Sequence, residues 1–365
     1  MFKAAGIIFA AAIFIAGCST SKPPEKAIES IQTTNVSPEL NWNTSPKNAI
    51  ASSPARATVD EKMTASQNPQ SLTTWIPLSQ WAKEHGLKSP QLFATAPETA
   101  YSIDSVNGTM ILGIGSREVT WNGITVSLGY APESIDGEIY LYGIDLQKNL
   151  EPLLCEPPLS FPQTNRVIVI DPGHGGGNSG TISVLDGRLE KEFTLDTALR
   201  LKPLLETNGW TVFLTRSADV DFANTNRVTF ADAHHASLFI SLHFNATGDR
   251  SQKIAGIETY CLTPTGLLST KTRDYPDPPF AVWPNNSFDA KNLQLAVKLH
   301  NALVRATGLE DRGVCRARYM TVVRGQHCPA ILIEQGYLSS PHDATLIESP
   351  DFRQKLAETI ADALK

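Results

Sequence analysis

The fold of this chain is decided by the stretch Val167-Ile168-Val169-Ile170-Asp171-Pro172-Gly173-His174, in which an apolar run ends in an acid, a Pro-Gly turn and a histidine. Two other segments, Leu238 to His243 and Ile331 to Glu334, also pass from a mostly apolar run to a group that can bind metal or move a proton. In open α/β sheets, ligands bind beyond the carboxyl ends of the strands. Three such strand ends therefore predict one site at one edge of one sheet.

Beyond residue 164 the sequence alternates between strand patterns and helix patterns. The predicted strands are 166–170, 211–215, 237–242, 256–262 and 330–334, and the predicted helices are 191–207, 226–235, 288–307 and 350–364. Such alternation indicates an α/β fold with a twisted, mostly parallel sheet flanked by helices on both faces. Pro203 predicts a kink or a break in the first helix, and Gly308 predicts the end of the third.

The bulk composition is that of a soluble enzyme. A length of 365 residues predicts one to three domains, and a hydrophobic share of 41% is sufficient for a core. The 31 basic and 37 acidic residues give a formal charge of −6. This balance argues against a nucleic-acid partner.

The candidate metal ligands of the predicted site are His174, Glu190 and His243. Two imidazoles and one carboxylate make a ligand set that suits zinc. Glu190 directly precedes a predicted helix, where the helix dipole stabilises a carboxylate, so a simple helix-start acid is its alternative role and Glu192 is a competing ligand. Asp171 is a candidate to orient His243 through the second nitrogen of the imidazole ring.

Glu334 is the candidate proton carrier. A carboxylate that follows four apolar residues is costly to bury without a task, and partial burial raises its pKa into the range that suits proton transfer. A phosphate-binding loop is disfavoured, because no Lys-Ser/Thr pair follows the glycines after His174. The sequence also lacks the HExxH motif of one large group of zinc proteases.

The N-terminal part of the sequence predicts export and anchoring. Residues 1–18 combine an early lysine with an apolar run that is too short to span a bilayer, which predicts a signal peptide. The end of this segment, up to Cys18, resembles the lipobox of bacterial lipoproteins. The resemblance implies cleavage before Cys18 and acylation of its thiol and amine, which would hold the protein on a membrane; ordinary secretion is the alternative. Residues 19–70 are rich in polar residues, proline and alanine, and predict a disordered tether.

Residues 71–155 predict a small α+β module. One weak helix pattern is followed by short strands, and the Asn122-Gly123 pair predicts a tight hairpin turn. The segment loosely resembles the copper-amine-oxidase-type N-terminal domain of cell-envelope proteins, which implies a wall-binding or spacing role. No cluster of histidine or cysteine in this segment argues for copper.

Four cysteines follow Cys18: Cys155, Cys261, Cys315 and Cys328. An exported protein meets conditions in which disulfides persist, but sequence does not choose among the pairings. We expect small buried residues with at most one bridge. Because none forms a CxxC pair, a cysteine zinc site is disfavoured.

The blocks around the candidate residues together resemble the zinc-dependent N-acetylmuramoyl-L-alanine amidases of the Amidase_3 type. These blocks are 171–176, 190–191, 241–246, 311–314 and 329–339, and the likeness covers about residues 165–364. It implies a phosphorylase/hydrolase-like fold in a catalytic domain of residues 164–365. It also implies that zinc is bound by His174, Glu190 and His243, and that Glu334 is the catalytic glutamate.

The implied reaction is hydrolysis of the amide between N-acetylmuramic acid and L-alanine in peptidoglycan by a zinc-activated water. Two alternatives stay open: a zinc peptidase acting within the stem peptide, and a non-catalytic wall-binding lipoprotein. The expected partners are peptidoglycan and, through lipidated Cys18, a membrane, with the need for a protein activator left open. The expected location is the periplasmic side of the cell envelope, with the outer membrane favoured. The long loop 263–287 is proline-rich, which argues against an autoinhibitory helix and leaves a role as a lid open.

Overall fold

The computed structural model of the protein describes residues 72–96, 98–161, 164–248 and 254–365. The predicted signal segment 1–18 and the predicted tether 19–70 lie outside these residues. Within them, no helix combines the length and the apolar character that a membrane crossing requires.

The N-terminal part of the described chain consists mainly of short strands. Its elements are β1 (Trp75–Pro77), α1 (Leu78–Glu84), β2 (Gln91–Ala94), β3 (Ala100–Ser105), β4 (Gly108–Gly113), β5 (Glu118–Trp121), β6 (Ile124–Ser127), β7 (Glu133–Ile135), β8 (Glu138–Tyr142), α2 (Gly143–Asp145), a π-helical turn (Leu146–Leu150) and α3 (Glu151–Leu154). The predicted hairpin is confirmed: Trp121 pairs with Ile124, and the intervening Asn122 and Gly123 both have positive φ angles.

The C-terminal part alternates strands and helices, as the sequence predicts. Its elements are β9 (Val167–Pro172), α4 (Glu190–Thr207), β10 (Thr211–Leu214), α5 (Asn224–Ala233), β11 (Leu238–Asn245), β12 (Ile257–Leu262), a 3₁₀ turn (Pro284–Phe288), α6 (Asp289–Thr307), β13 (Asp311–Ala317), α7 (Thr321–Arg324), β14 (Ala330–Tyr337), α8 (Pro341–Glu348) and α9 (Pro350–Ala363). The predicted α/β class is confirmed.

Among the described residues, eleven strands form one sheet in the order β10-β9-β11-β14-β12-β13-β6-β5-β4-β3-β2, and β1-β8-β7 form a second, small sheet. The strands β10, β9, β11 and β14 are parallel to one another, whereas β12 is antiparallel to β14 and parallel to β13. β6 runs parallel to β13 and leads into the antiparallel strands β5 to β2. The C-terminal strands are therefore mostly parallel, and the whole sheet is mixed.

Helices cover both faces of the C-terminal half of the sheet. Successive residues of β9 point to opposite faces, so that Ile168 and Ile170 enter one apolar core and Val169 enters the other. The long helices α4, α6 and α9 contribute to the first core, and the shorter α5 and α7 contribute to the second. A near-continuous apolar strand such as β9 is what burial on both faces requires.

One predicted helix end agrees with the structure, and one predicted helix break does not. α6 ends as predicted at Gly308, which adopts φ +72° and donates its N–H to the carbonyl of Val304 at 2.9 Å. The predicted break at Pro203 is wrong, because α4 runs unbroken from Glu190 to Thr207. Pro203 and Leu199, whose carbonyl loses its helical partner, both lie on the exposed side of the helix, where water can reach the carbonyl.

In the C-terminal part, the sequence analysis missed β13, α7 and α8 as well as the 3₁₀ turn. β13 contains two arginines and a glycine and therefore has no apolar run, and α8 is a short helix that starts at a proline. The four cysteines after Cys18 are free thiols, and all except Cys155 are buried. The expectation of small buried residues therefore holds for three of them, and none of the four is bridged.

Candidate metal centre

Three separate elements bring the candidate ligands to one edge of the sheet. His174 lies in the turn after β9, Glu190 is the first residue of α4, and His243 lies near the end of β11. Because β9 and β11 are parallel neighbours, their carboxyl ends reach the same edge. The structure thus places together three residues that are far apart in the sequence.

The donor atoms of these side chains face a common point. His174 Nε2 lies 3.1 Å from Glu190 Oε2, and His243 Nδ1 lies 3.0 Å from Glu190 Oε1. The three ligand atoms all lie within 4.8 Å of one another. Four ligands at a zinc bond length of about 2.1 Å in a tetrahedron are about 3.4 Å apart. Two imidazoles and one carboxylate at this spacing fit a zinc ion and leave a fourth position open.

Two glycines allow the ligands to approach so closely. A Cβ atom at Gly173 would overlap the imidazole of His243, and a Cβ atom at Gly180 would lie 2.6 Å from Glu190 Oε2. Any side chain at either position would push a ligand out of the cluster. The glycines around His174 therefore serve the packing of the candidate ligands.

The carboxylate of Glu190 is buried and held on both oxygens. Oε2 accepts the N–H of Thr181 at 2.9 Å, and Oε1 accepts the N–H of Phe244 at 3.0 Å. Burial alone would raise the pKa of Glu190, but the neighbouring His174 and His243 lower that pKa below its usual range. Glu190 therefore presents an ionised carboxylate, the form that binds metal.

The competing carboxylate, Glu192, lies outside the cluster. Two positions along a helix turn a side chain by about 200°, so Glu192 points away from Glu190. Its side chain is 44% exposed and pairs with Nε of Arg188 at 3.3 Å. The geometry favours Glu190 as the third ligand.

The backbone of His174 adopts the left-handed conformation, with φ +63°. A bulky residue in this region is strained, and such strain concentrates at functional sites. The ring Nδ1 lies 2.8 Å from Oδ1 of Asn178, which also accepts the N–H of Gly180 at 3.2 Å. Because Oδ1 can only accept, Nδ1 carries the proton and Nε2 keeps a lone pair toward Glu190 and the metal position.

Asp171 does not orient His243, contrary to the sequence-based prediction. Its oxygens accept the hydroxyls of Thr215 at 2.6 Å and Ser241 at 2.7 Å, as well as the guanidinium of Arg227. The reason lies in the register, because Asp171 pairs with Ser241 on β11, two residues before His243. Burial would raise the pKa of Asp171, but Arg227 and the two hydroxyls keep that pKa below its usual range.

Two buried arginines hold the turn that carries His174, and the sequence analysis assigned them no role. Arg216 donates to the carbonyls of Pro172 at 3.0 Å and Gly173 at 2.8 Å. Arg227 donates to the carbonyls of Pro172 at 3.0 Å and His174 at 2.7 Å. The available signal was the position of Arg216, since it follows a predicted strand at the same sheet edge as His174.

Glu334 lies beside the cluster on β14, in register with His243 on β11. Its side chain is 6% exposed, and Oε2 has no hydrogen-bond partner among the described residues. Burial and the nearby Glu190 carboxylate raise the pKa of Glu334 to about 8, while Arg273 acts in the opposite direction. A buried carboxyl with an unpartnered oxygen beside a metal position is suited to exchange a proton with water or substrate.

The loop 263–287, here called the strap, reaches this site through one of its side chains. It contains no helix except the 3₁₀ turn Pro284–Phe288, in line with the expectation from its prolines. Asp277 of the strap pairs with Arg318 at 2.7 Å. The strap places Arg273 next to the site, where its Nη2 donates to Asn245 Oδ1 at 3.1 Å.

Fold and site together define a class, that of α/β proteins with a His-Glu-His cluster that could hold a metal ion and a buried glutamate beside it. Residues 168–365 match the family described as N-acetylmuramoyl-L-alanine amidase, Amidase_3, and the chain belongs to this family.

Similar proteins with curated names share the C-terminal part. The chain is 31% identical over 204 residues to the N-acetylmuramoyl-L-alanine amidase LytC of Bacillus subtilis, which covers 56% of this chain and 36% of LytC. It is 33% identical over 207 residues to the probable cell wall amidase LytH of Staphylococcus epidermidis, which covers 56% of this chain and 60% of LytH. The solved catalytic domain of CwlV, an amidase from Bacillus (Paenibacillus) polymyxa var. colistinus, is 31% identical with a TM-score of 0.44 and covers 54% of this chain and 95% of that domain. The chain thus spans less than two thirds of the length of LytC and LytH.

Proposed function

We propose that this chain is a zinc-dependent amidase that hydrolyses the bond between N-acetylmuramic acid and L-alanine in peptidoglycan. The observation that carries the proposal is the convergence of His174, Glu190 and His243 beside Glu334, whose Oε2 accepts no hydrogen bond from the described residues. Membership of the amidase family supports the substrate class, and the chemistry of the donor set supports zinc.

In this proposal His174, Glu190 and His243 hold the zinc ion. When bound, zinc polarises the amide carbonyl and lowers the pKa of a water molecule from about 15.7 toward about 7. Glu334 accepts a proton from the attacking water at Oε2 and returns a proton to the nitrogen of L-alanine, which is too basic to leave as an anion. Because water attacks directly, no residue forms a covalent bond with the substrate.

The surroundings of Glu334 support both halves of this proton transfer. Burial and the Glu190 carboxylate favour the protonated form of Glu334, whereas Arg273 favours the ionised form. A carboxyl whose pKa is near the working pH can accept a proton and release it again within one turnover.

Digestion of defined muropeptides by the purified protein, with products identified by mass, tests the proposal. An amidase releases intact peptides that begin with L-alanine and leaves the sugar without a peptide. A zinc peptidase shortens the peptide and leaves part of it on the sugar, and a non-catalytic wall-binding protein leaves the substrate unchanged. We expect the first pattern, its loss with a chelator and its return with added zinc. Because no other protein is present, the same digestion tests whether an activator is required.

We also propose that the enzyme is a lipoprotein on the periplasmic side of the cell envelope, with the outer membrane favoured. The lipobox-like sequence before Cys18 supports acylation, and the polar segment 19–70 supports a tether between the anchor and the folded chain. Residues 71–155 would act as a wall-associated module. Cys18→Ser should move the protein from the membrane fraction to the soluble fraction, whereas Cys155→Ser should not; a membrane-bound Cys18→Ser protein would exclude this anchor.

A further inference from the structure

A second cluster of charged side chains lies at the same sheet edge, on the side of Glu334 away from the metal position. Its centre is Glu258, a buried residue of β12 that pairs in register with Glu334 of β14. Glu258 Oε2 accepts Nδ2 of Asn245 at 2.9 Å and the hydroxyl of Tyr260 at 2.7 Å. Because Asn245 lies two residues after His243, this cluster is continuous with the metal centre.

Three cations surround Glu258. Arg312 Nε lies 3.4 Å and Lys271 Nζ lies 3.6 Å from Glu258 Oε1, and Arg273 reaches the cluster through its hydrogen bond to Asn245. Arg312 lies between Glu258 and the exposed Glu310, at 3.5 Å from the latter. These two carboxylates balance its positive charge. The two strap cations, Lys271 and Arg273, remain opposite Glu334. Three cations therefore face the three carboxylates Glu258, Glu310 and Glu334, so the charges of this cluster balance although the chain as a whole carries −6.

Lys271 is available for a ligand. Its side chain is 39% exposed, and its distance of 3.6 Å from Glu258 is too long for a hydrogen bond. An ammonium that is partly buried but open to solvent can exchange water for a carboxylate, and such charge-assisted hydrogen bonds are about twice as strong as neutral ones.

The strap holds both cations in place through its backbone. The N–H groups of Thr270 and Lys271 donate to the carbonyl of Arg316 at 2.9 and 3.3 Å. Arg273 and Asp274 both adopt left-handed φ angles, +48° and +62°, which surrounding contacts must enforce in residues other than glycine. A binding group that is fixed before the ligand arrives loses less entropy on binding.

We propose that Lys271 and Arg273 form a carboxylate-binding subsite for the stem peptide and so set the direction in which the substrate lies at the site. This inference rests on the proposed amidase function and extends it. The sheet order β9-β11-β14-β12-β13 places the metal ligands on one side of Glu334 and the strap cations on the other. The scissile amide joins an uncharged sugar to a peptide that carries carboxylates. With that amide at the metal and Glu334, charge complementarity directs the peptide across β12 toward Lys271 and Arg273 and the sugar toward β9.

Two muropeptides test the proposal, one with a free carboxylate on the residue after L-alanine and one with that carboxylate amidated. The zinc-loaded wild-type protein should cleave the free-acid substrate with a kcat/KM about tenfold higher, the size expected for one or two charge-assisted contacts. Lys271→Gln and Arg273→Gln should each reduce this preference, by raising KM for the free-acid substrate more than KM for the amidated one.

Lys202→Gln is the matched control. Lys202 has a side chain that is 38% exposed and pairs with a glutamate, like Lys271, but it lies about 18 Å along α4 from Glu190. Lys202→Gln should therefore prefer the free-acid substrate to the same extent as the wild type. Equal cleavage of the two substrates by the wild type, or an unchanged preference in both strap variants, would overturn the subsite while leaving the amidase proposal intact. Cleavage of neither substrate by the zinc-loaded wild type would overturn the amidase proposal and this inference with it.

Discussion

The two sides of the site are built in different ways. The metal side takes its ligands from regular elements: the ends of β9 and β11 and the start of α4. The cationic side takes Lys271 and Arg273 from the strap, an irregular segment held by side-chain anchors such as the Asp277–Arg318 pair. Packed strands and helices fix atoms closely enough for metal binding, whereas loops tolerate exchange of residues. The metal side should therefore determine whether the reaction occurs, and the strap should determine which substrates are favoured.

The largest effect should come from removing the central ligand of the metal side. Glu190→Ala should lose bound zinc and all measurable turnover, because its carboxylate lies about 3 Å from both histidines. Glu192→Ala is the matched control, since its exposed carboxylate pairs only with groups of its own helix start. Metal analysis and muropeptide cleavage of both proteins provide the measurement. If Glu190→Ala retains zinc, or if Glu192→Ala loses it, Glu190 is not the third ligand that we propose.

Glu334→Gln should separate metal binding from catalysis. The amide has the size of the carboxyl group but cannot accept and return a proton, so we expect a loss in kcat of at least about a hundredfold, in line with general-base contributions of roughly 10² to 10⁴. Zinc content should stay at the wild-type level, which serves as the internal control. Near-normal cleavage by this variant would remove Glu334 from the mechanism.

The metal side could be predicted from sequence because its residues stand at the ends of strand patterns and at the start of a helix pattern. His174 and His243 each follow a short apolar run that is typical of a buried strand, and Glu190 stands at the start of an amphipathic helix. Parallel neighbours then bring strand ends to one edge without further information. The pairing of Asp171 with Ser241 depends on the strand register, which sequence does not reveal, and so the predicted contact between Asp171 and His243 was wrong.

The cationic side could not be predicted, because nothing local distinguishes its residues. Lys271 and Arg273 lie in a polar, proline-containing loop that resembles a solvated surface segment. β13 was missed for a related reason: Arg316 interrupts its pattern, yet this side chain is buried and donates to Oδ1 of Asn149 at 2.7 Å, a residue 167 positions away in the chain. A buried charge needs such partners, and those of Arg316 lie far away in the sequence and are not visible in the strand itself.

A smaller effect on the metal side should follow from Asn178→Ala. Asn178 accepts Nδ1–H of His174 and thereby fixes which ring nitrogen faces the metal. Loss of such an orienting partner typically lowers metal affinity by about 10- to 100-fold. Competition with a chromophoric chelator measures the change, and wild-type kcat at saturating zinc serves as the control. An unchanged zinc affinity would show that the backbone alone holds His174 in place.

Zinc affinity should also depend on pH with the slope of a single proton. Burial lowers the pKa of His174, but Glu190 and Asn178 raise it more, so the net pKa lies above its usual value of 6.5. The pKa values of Glu190 and His243 are lowered, and both groups have already lost their protons near neutral pH. Below the pKa of His174, zinc must displace its proton, so apparent affinity should fall by about tenfold per pH unit, and above that pKa the dependence should vanish. A two-proton slope in chelator competition would show that His243 titrates as well.

The smallest effect should come from a contact that supports the strap from the N-terminal part of the chain. Arg117 donates Nη2 to the carbonyls of Leu268 at 3.0 Å and Ser269 at 3.2 Å. Arg117→Ala removes these bonds but leaves the Asp277–Arg318 anchor, so the strap should stay in place with more freedom. We expect KM for the free-acid muropeptide to rise by roughly threefold, within the range of remote coupling effects.

Zinc content and kcat should not change in Arg117→Ala, because the hydrogen bonds of Arg117 go to residues outside the metal side. The matched control is Arg305→Ala, which removes a longer and exposed bond of 3.4 Å to the carbonyl of Asn122, away from the strap. A fall in kcat or zinc content in Arg117→Ala alone would mean that the strap supports the metal ligands as well as the substrate. In that case the two sides of the site would act as one unit, and the N-terminal segment would contribute to catalysis through the strap.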